Sequence, residues 1–194
     1  AALLAVDELW CTGVDGDALL SKAAELGADI PFALLGGTAI GVGRGDDLEP
    51  IDGVPALHWV LVPMDVGLST PRVYAKLDEI RSARGEAPEL VATPSKPREL
   101  INALQFGDAR EVAKYLHNDL QEAAVALMPE LSITMHAGLA AGALAAIVSG
   151  SGPTVAMLAA SADAAESIAN HLAFEGYIAI PTHGPAKGTL LEHN

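Results

Sequence analysis

A glycine-rich segment from Gly27 to Gly45 constrains the fold more than any other stretch, because it imposes repeated changes of backbone direction. Gly27 follows a run with helical spacing and is predicted to end that helix in the left-handed conformation. Pro31 disfavours helical geometry at the residue before it. The sequence therefore predicts that the chain becomes extended here, with Phe32–Leu35 and Thr38–Val42 as β-segments.

Asp29 lies at this change of direction and is the candidate catalytic residue of the segment. Its side chain is short and its neighbours Ala28 and Ile30 are apolar, so the carboxylate could be aimed at a ligand and desolvated. The alternative is that Asp29 only caps a turn, which is the commoner role of an aspartate in a loop. The residues alone favour the capping interpretation.

Composition excludes several classes of function. The formal charge of −14 argues against binding to nucleic acid or to an anionic membrane, because both need a basic surface. The single cysteine, Cys11, permits no internal disulfide and suits a reducing cytoplasm; we expect a small buried thiol near a helix end. The six histidines have no metal-binding spacing, so no metal ligands are predicted.

Hydrophobic periodicity predicts helices interspersed with short strands. The predicted helices are Ala1–Trp10, Ala18–Leu26 with Asp15 or Asp17 as its N-cap, Pro71 through Ile80, Glu99–Phe106, Asp108–Met128, Glu130–Gly142 and Asp163–Phe174. The predicted strands of the second half are Leu57–Met64, Ala145–Val148, Val155–Ala160 and Tyr177–Pro181. Ser82–Pro97 is predicted to be a loop, and the tail from Thr182 is expected to fray. This order favours an α+β sandwich with helices on one face of a sheet.

Two further segments are candidates for ligand binding. The turn Ser149-Gly150-Ser151-Gly152 could point successive backbone N–H groups toward an anion, although a turn without any ligand is the commoner role of such a sequence. Leu68–Tyr74 predicts the start of a helix, with Ser69 or Thr70 as N-cap. Tyr74 falls one turn beyond Thr70, where its ring could stack on a nucleobase; the alternative is that Tyr74 belongs to the core.

Three motifs together carry a resemblance to a known family: LGADIPFALLGGTAIGVGRG at Leu26–Gly45, LSTPRVY at Leu68–Tyr74 and IVSGSGPTV at Ile147–Val155. In this order and spacing they resemble the galactokinase/homoserine kinase/mevalonate kinase/phosphomevalonate kinase (GHMP) superfamily, and actinobacterial members look nearest. The resemblance implies an α+β fold. Residues 1–54 would be the remnant of an N-terminal domain like domain 2 of ribosomal protein S5, and residues 55–194 a ferredoxin-like α/β sandwich.

The resemblance also implies an ATP-dependent kinase that uses Mg²⁺ and acts on a small-molecule alcohol. The implied substrate is a cytidine diphosphate derivative of a sugar alcohol, 4-diphosphocytidyl-2-C-methyl-D-erythritol, phosphorylated at its 2-hydroxyl in the non-mevalonate isoprenoid pathway. Asp29 would then deprotonate the hydroxyl, and Thr70 and Tyr74 would bind the substrate. Tyr74 replaces a phenylalanine of the family but keeps the ring face that stacks on cytosine. Ser149-Gly150-Ser151-Gly152 would be the family's third, glycine-rich motif.

Two alternatives to this function stay open. The first is another kinase of the superfamily, acting on mevalonate, phosphomevalonate or homoserine, none of which carries a cytosine for Tyr74 to stack on. The second is a non-catalytic, ferredoxin-like binding module, which would have no use for Asp29. In the family, an ATP loop and a segment with a lysine precede the first helix. We therefore expect the chain to be truncated at its N-terminus and inactive alone.

Overall fold

A computed structural model describes residues 1–86 and 96–191. The chain forms two compact units, one of Ala1–Pro55 with Gly184–Asn194 and one of Ala56–His183. Residues 87–95, which belong to the predicted loop Ser82–Pro97, lie outside the described residues, as do residues 192–194.

Both units combine helices with short strands. In chain order, the helices are α1 (Ala2–Trp10), α2 (Gly16–Leu26), α3 (Ile30–Leu35), α4 (Thr70–Ala83), α5 (Arg98–Phe106), α6 (Ala109–Tyr115), α7 (Gln121–Leu127), α8 (Glu130–Ala140) and α9 (Ala162–Phe174). The strands are β1 (Gly36–Gly37), β2 (Ala39–Val42), β3 (Asp47–Pro50), β4 (Leu57–Val62), β5 (Ala145–Val148), β6 (Val155–Ala159), β7 (Ile180–Gly184) and β8 (Ala186–Lys187).

The first unit begins with two helices whose ends differ in part from the sequence prediction. Asp15 caps α2, as predicted, because its carboxylate accepts a hydrogen bond from the N–H of Ala18 at 2.8 Å. Gly27 ends α2 in an extended conformation, with φ 168° and ψ 150°, so the predicted left-handed conformation is wrong. The N–H of Gly27 still bonds to the carbonyl of Ala23, and the helix therefore ends without a left-handed residue.

Helix α3 shows that the prediction of an extended segment at Phe32–Leu35 is wrong. Pro31 lies in the first turn of α3, where the N–H group that proline lacks has no partner to lose. Proline therefore starts this helix rather than preventing it. The strand prediction for Thr38–Val42 is confirmed by β2, which pairs with β3 in an antiparallel hairpin.

The end of the chain packs on the first unit, so the prediction that it frays from Thr182 is wrong for the residues that carry β7 and β8. Strand β8 pairs with β1, with Lys187 opposite Gly36. Thr189 donates both its N–H, at 3.1 Å, and its hydroxyl, at 3.0 Å, to the carbonyl of Ala33. These backbone partners hold a segment whose polar composition had suggested disorder.

The second unit is built on an antiparallel arrangement in which β6 lies between β5 and β4, in the sheet order β5-β6-β4-β7. Along the chain its elements read β4, helices α4 to α8, β5, β6, α9 and β7. This is the β-α-β-β-α-β order of a ferredoxin-like fold, so the predicted fold class is confirmed.

Helices cover both faces of this sheet, so the prediction of helices on one face is wrong. Val60 of β4 lies opposite Met157 of β6, and both belong to the main core with α8 and α9. The neighbouring pair, Trp59 and Leu158, points to the other face because side chains alternate along a strand. There it packs against residues of α5 and α6, such as Val112.

The predicted long helix Asp108–Met128 is wrong, because the structure has α6 and α7 with a break between Tyr115 and Gln121. Asn118 lies in this break. Its side-chain oxygen accepts a hydrogen bond from the N–H of Leu120 at 2.9 Å. A side chain that bonds to the local backbone in this way competes with helix formation.

The glycines of α8 and of the turn that follows it have different surroundings. Gly138 allows α8 to pack closely against the sheet, since a Cβ there would lie 2.3 Å from Sδ of Met157. Gly142 has a positive φ of 105°, and nothing lies within 4 Å of a Cβ placed on it.

Cys11 is exposed, so the prediction of a buried thiol is wrong. The residue follows α1, and α1 has no buried residue.

In the part of the chain that the structure describes, no single helix has the length and apolar composition to cross a membrane. Helices α7 and α8 meet those two criteria only as a pair, bent by 116° at the break between them.

Candidate functional site

Two of the candidate ligand-binding segments meet in the second unit. Oγ1 of Thr70, the first residue of α4, lies 2.8 Å from Oγ of Ser151 in the glycine-rich turn, although the two residues are 81 positions apart in the sequence. The two hydroxyls therefore share a hydrogen bond. Ser69 occupies the N-cap position of α4, but its side chain makes no capping hydrogen bond. The start of α4 is thus tied to the turn through Thr70.

The glycine-rich turn Ser149–Gly152 has a defined backbone geometry. The N–H of Ser149 donates to the carbonyl of Thr154 at 2.8 Å, and the N–H of Gly152 donates to the carbonyl of Ser149 at 2.9 Å. Gly150 has φ 56° and Gly152 has φ 81°, both in the region that favours glycine. The N–H groups of Gly150 and Ser151 donate to no acceptor in the described ranges 1–86 and 96–191. Such a turn can present N–H groups to an anion.

Tyr74 lies one turn after Thr70 on α4, and 55% of its surface is exposed. The alternative that Tyr74 belongs to the core is therefore wrong. The core positions of this helix are taken by Val73 and Leu77, which are buried. The ring of Tyr74 is free to stack on a planar group from solution.

Two residues that the sequence did not single out, one in the break between α6 and α7 and one at the start of α7, bond to the glycine-rich turn or to the strand residue before it. Nδ2 of Asn118 donates to the carbonyls of Val148, at 2.7 Å, and Gly150, at 2.8 Å. Oε1 of Gln121 accepts from the N–H of Val148 at 3.1 Å. The available sequence signal was an asparagine in the middle of a predicted helix, where its propensity is low.

Asp29 belongs to the first unit, where it lines an open cleft of about 310 Å³. The other lining residues are Ala28, Phe32, Ala39, Gly41, Gly45 and Leu48. Asp29 stands at the N-cap position of α3, but its side chain makes no capping hydrogen bond, so the capping interpretation is wrong. The residue is exposed, so the expected desolvation is not seen either. Its carboxylate has no ion-pair partner among the residues that the structure describes.

The β2–β3 hairpin forms one wall of this cleft. Gly41 packs closely on the turn there, since a Cβ would lie 3.0 Å from the carbonyl oxygen of Gly45. Arg44, at the hairpin tip, donates from Nε to Asp46 at 3.1 Å and lowers the pKa of that carboxyl. The Arg44 side chain is 75% exposed and already has this partner, which is typical of an arginine in a solvent-exposed turn.

A magnesium ion would need oxygen ligands from this chain, from a bound nucleotide or from both. Across residues 1–86 and 96–191, no three His, Cys, Asp or Glu side chains form a group that could hold a metal ion. The described side chains therefore provide no ready-made metal cluster, and a Mg²⁺ ion would have to be held in part by the phosphates of a nucleotide.

Comparison with known proteins gives the same family as the motifs. Residues 98–178 match the family model described as "GHMP kinases C terminal". The chain is 49% identical over 189 residues to a 4-diphosphocytidyl-2-C-methyl-D-erythritol kinase of Pseudarthrobacter chlorophenolicus, covering 97% of the chain and 58% of the relative. It is 52% identical over 176 residues to the enzyme of that name from Nocardia farcinica, covering 91% of the chain and 56% of the relative. The chain thus spans less than three fifths of the length of these two relatives.

Solved structures of such kinases share the fold. A crystal structure of 4-(cytidine 5'-diphospho)-2C-methyl-D-erythritol kinase has a TM-score of 0.73 and 29% identity, covering 93% of this chain and 60% of that one. A crystal structure of a homoserine kinase from Cytophaga hutchinsonii has a TM-score of 0.68 at 19% identity, covering 94% of this chain and 61% of that one. At that identity the second match supports the fold alone.

Proposed function

We propose that the whole protein, whose residues 98–178 match the family model of the GHMP kinase C-terminal domain, transfers the γ-phosphoryl group of ATP to the 2-hydroxyl of 4-diphosphocytidyl-2-C-methyl-D-erythritol. This reaction is a step of the non-mevalonate isoprenoid pathway. The structural observation that carries the proposal is the contact between Thr70 and Ser151, which joins the proposed substrate segment to the glycine-rich motif. The exposed ring of Tyr74 stands one turn away on the same helix.

In this reaction Asp29 orients the acceptor hydroxyl and takes its proton as the oxygen attacks the γ-phosphorus. The exposed carboxylate in an open cleft, without a capping bond or an ion pair among the described residues, supports that role. Phosphoryl transfer needs a positioned nucleophile and a route for its proton more than it needs covalent chemistry from the protein. An aspartate within reach of the hydroxyl supplies both.

Tyr74 and Thr70 bind the substrate in the proposed reaction. The ring of Tyr74 stacks on the cytosine, which leaves the rest of the substrate to be placed by polar contacts. Thr70 is held by Ser151, so its position depends on the glycine-rich turn. The N–H groups of Gly150 and Ser151 then donate to an anionic oxygen of the nucleotide or of the diphosphate. ATP is the phosphate donor, and a Mg²⁺ ion bound with it would supply positive charge beside the phosphates.

An acceptor panel tests the proposal. The whole protein is assayed with ATP and Mg²⁺ and with one acceptor at a time: 4-diphosphocytidyl-2-C-methyl-D-erythritol, mevalonate, phosphomevalonate or homoserine. We expect ADP release only with the cytidine acceptor, and phosphorus NMR should place the new phosphate on its 2-hydroxyl. Turnover with mevalonate, phosphomevalonate or homoserine instead would establish another kinase of the family. Absence of turnover with all four acceptors would contradict the proposal.

A further inference from the structure

The outer edge of strand β5 is closed by side chains rather than by another strand. β5 is the end strand of the sheet order, and among the described residues β6 is the one strand that pairs with it. Ser149 bonds across to Thr154, so in the alternating antiparallel pattern the N–H and C=O of Val148 face away from β6. Gln121 accepts from that N–H and Asn118 donates to that carbonyl. Both backbone groups of Val148 are therefore satisfied, the carbonyl by Asn118 in the break between α6 and α7 and the N–H by Gln121 at the start of α7.

The second hydrogen bond of Asn118 fixes the orientation of one peptide group in the turn. Its Nδ2 donates to the carbonyl of Gly150 at 2.8 Å, so that oxygen points toward Asn118. The peptide bond between Gly150 and Ser151 is trans, and in a trans peptide the N–H points opposite to the C=O. The N–H of Ser151 therefore points away from Asn118, on the side where it meets no described acceptor.

We propose that Asn118 is a positioning residue that holds the Gly150–Ser151 peptide so that the N–H of Ser151 faces a phosphate oxygen of the ligand. This inference rests on the proposed function for the identity of the ligand. The ligand phosphate belongs to ATP or to the cytidine diphosphate group, which share this chemistry. Asn118 acts through the turn and touches no reacting atom.

The hydrogen-bonding capacity of Asn118 is matched to this task. Its amide nitrogen supplies two donors for two carbonyls, and its oxygen accepts from Leu120, so all three bonds are made at once. An aspartate has the same shape but offers acceptors only, so it would repel the carbonyls of Val148 and Gly150. Gln121 has the opposite requirement, because its oxygen accepts a bond and a glutamate could accept it equally well.

The same chemical change, amide to carboxylate, therefore gives different results at neighbouring positions. In the whole protein, we expect Asn118→Asp to lower kcat/KM by about tenfold or more, a smaller loss than the removal of a direct backbone donor to a reacting oxyanion. Gln121→Glu should lower kcat/KM by a smaller factor than Asn118→Asp does. Asn170→Asp, at an exposed position of α9, is the control and should leave the activity unchanged. If Asn118→Asp does not fold, Asn118→Ala replaces it, since it removes the donors without adding a charge.

A binding measurement on the chain separates the positioning role from a general loss of structure. In nitrogen-15 NMR spectra, ATP and CDP are titrated separately, and the amide signal of Ser151 is followed. We expect one of these two ligands to shift that signal in the native chain, which also identifies the phosphate that it contacts. In Asn118→Asp the shift should be lost, while signals of the buried core residues stay in place.

The possible failures are distinguishable. If the native whole protein phosphorylates none of the acceptors, but CDP or ATP shifts Ser151 only when Asn118 is present, the proposed function fails and the positioning role stands. If Asn118→Asp keeps native kcat/KM and a native Ser151 response, the positioning role is wrong while the kinase proposal stands. If Asn118→Asp and Asn170→Asp lowered kcat/KM equally, the positioning role of Asn118 would also be overturned.

Discussion

Tyr74 exposes a large aromatic surface on a helix whose buried positions are filled by its neighbours, and this exposure favours a binding role over a packing role. We expect Tyr74→Ala to weaken binding of cytidine ligands by about 1–3 kcal/mol, or roughly fivefold to 150-fold, which is the usual cost of losing one base–aromatic stack. Tyr74→Phe should bind normally, since stacking needs the ring and not the hydroxyl.

The measurement is the dissociation constant for CDP in the whole protein, with thermal melting of each variant as its control. Because the ring is 55% exposed, the melting temperatures should differ little from that of the native protein. Unchanged affinity in Tyr74→Ala would contradict the stacking role. Loss of affinity only together with a lowered melting temperature would show that the ring supports the fold instead.

At the level of residues, the sequence singled out candidate ligand-binding residues but not the residues that hold them in place. Thr70, Tyr74 and Ser151 could be proposed from local motifs because helix starts and glycine turns have local signatures. Asn118 was not found, since its hydrogen bonds reach residues 30 and 32 positions further along the chain. Contacts of that separation depend on how the elements pack, which a single sequence does not specify.

At the level of elements, the packing of α8 on the sheet depends on Gly138. A Cβ at this position would lie 2.3 Å from Sδ of the buried Met157, so the methionine or the helix would have to move. We expect Gly138→Ala to lower the free energy of unfolding by about 1–3 kcal/mol, as overpacking of a filled core usually does. Denaturant unfolding of this chain, followed by tryptophan fluorescence and circular dichroism, would measure the change.

Gly67→Ala is the matched control for this prediction, because nothing lies within 4 Å of a Cβ placed there and its φ is not in the left-handed region. It should be neutral or slightly stabilising, since alanine restricts the unfolded chain more than glycine does. Equal stability of Gly138→Ala and the native protein would contradict the close packing of α8 on β6.

The elements that were predicted correctly are those whose local signals agree with their packing. Strands β4, β5 and β6 are apolar runs that become buried, and α9 ends before Gly176, which has φ 95°. The errors occur where a local signal has two structural meanings. Pro31 can stop a helix or start one, and it starts α3.

At the level of the whole molecule, the last residues of the chain belong with the first unit rather than with the unit that precedes them. Gly36 and Gly188 approach so closely that a Cβ on Gly36 would lie 1.9 Å from the backbone nitrogen of Gly188. The pairing of β1 with β8 therefore depends on two glycines far apart in sequence. Neither periodicity nor composition of the tail signals such a pairing, which is why fraying was expected.

The whole molecule carries a strong negative charge, yet its proposed ligands are anionic. Backbone N–H groups in the glycine-rich turn can bind phosphate without adding positive side chains. Asp29 lines an open cleft of the first unit, and in the proposed reaction its carboxylate is the base. The proposed kinase chemistry therefore assigns the proton transfer to this one carboxylate.

The most direct test of this chemistry is the turnover of Asp29→Asn in the whole protein, with 4-diphosphocytidyl-2-C-methyl-D-erythritol, ATP and Mg²⁺. Loss of the proton acceptor should lower kcat by about 10²- to 10⁴-fold. The dissociation constant for the cytidine substrate should stay close to the native value, and Asp17→Asn, exposed on α2, should behave as the native protein. A native kcat in Asp29→Asn would contradict the assignment of Asp29 as the base.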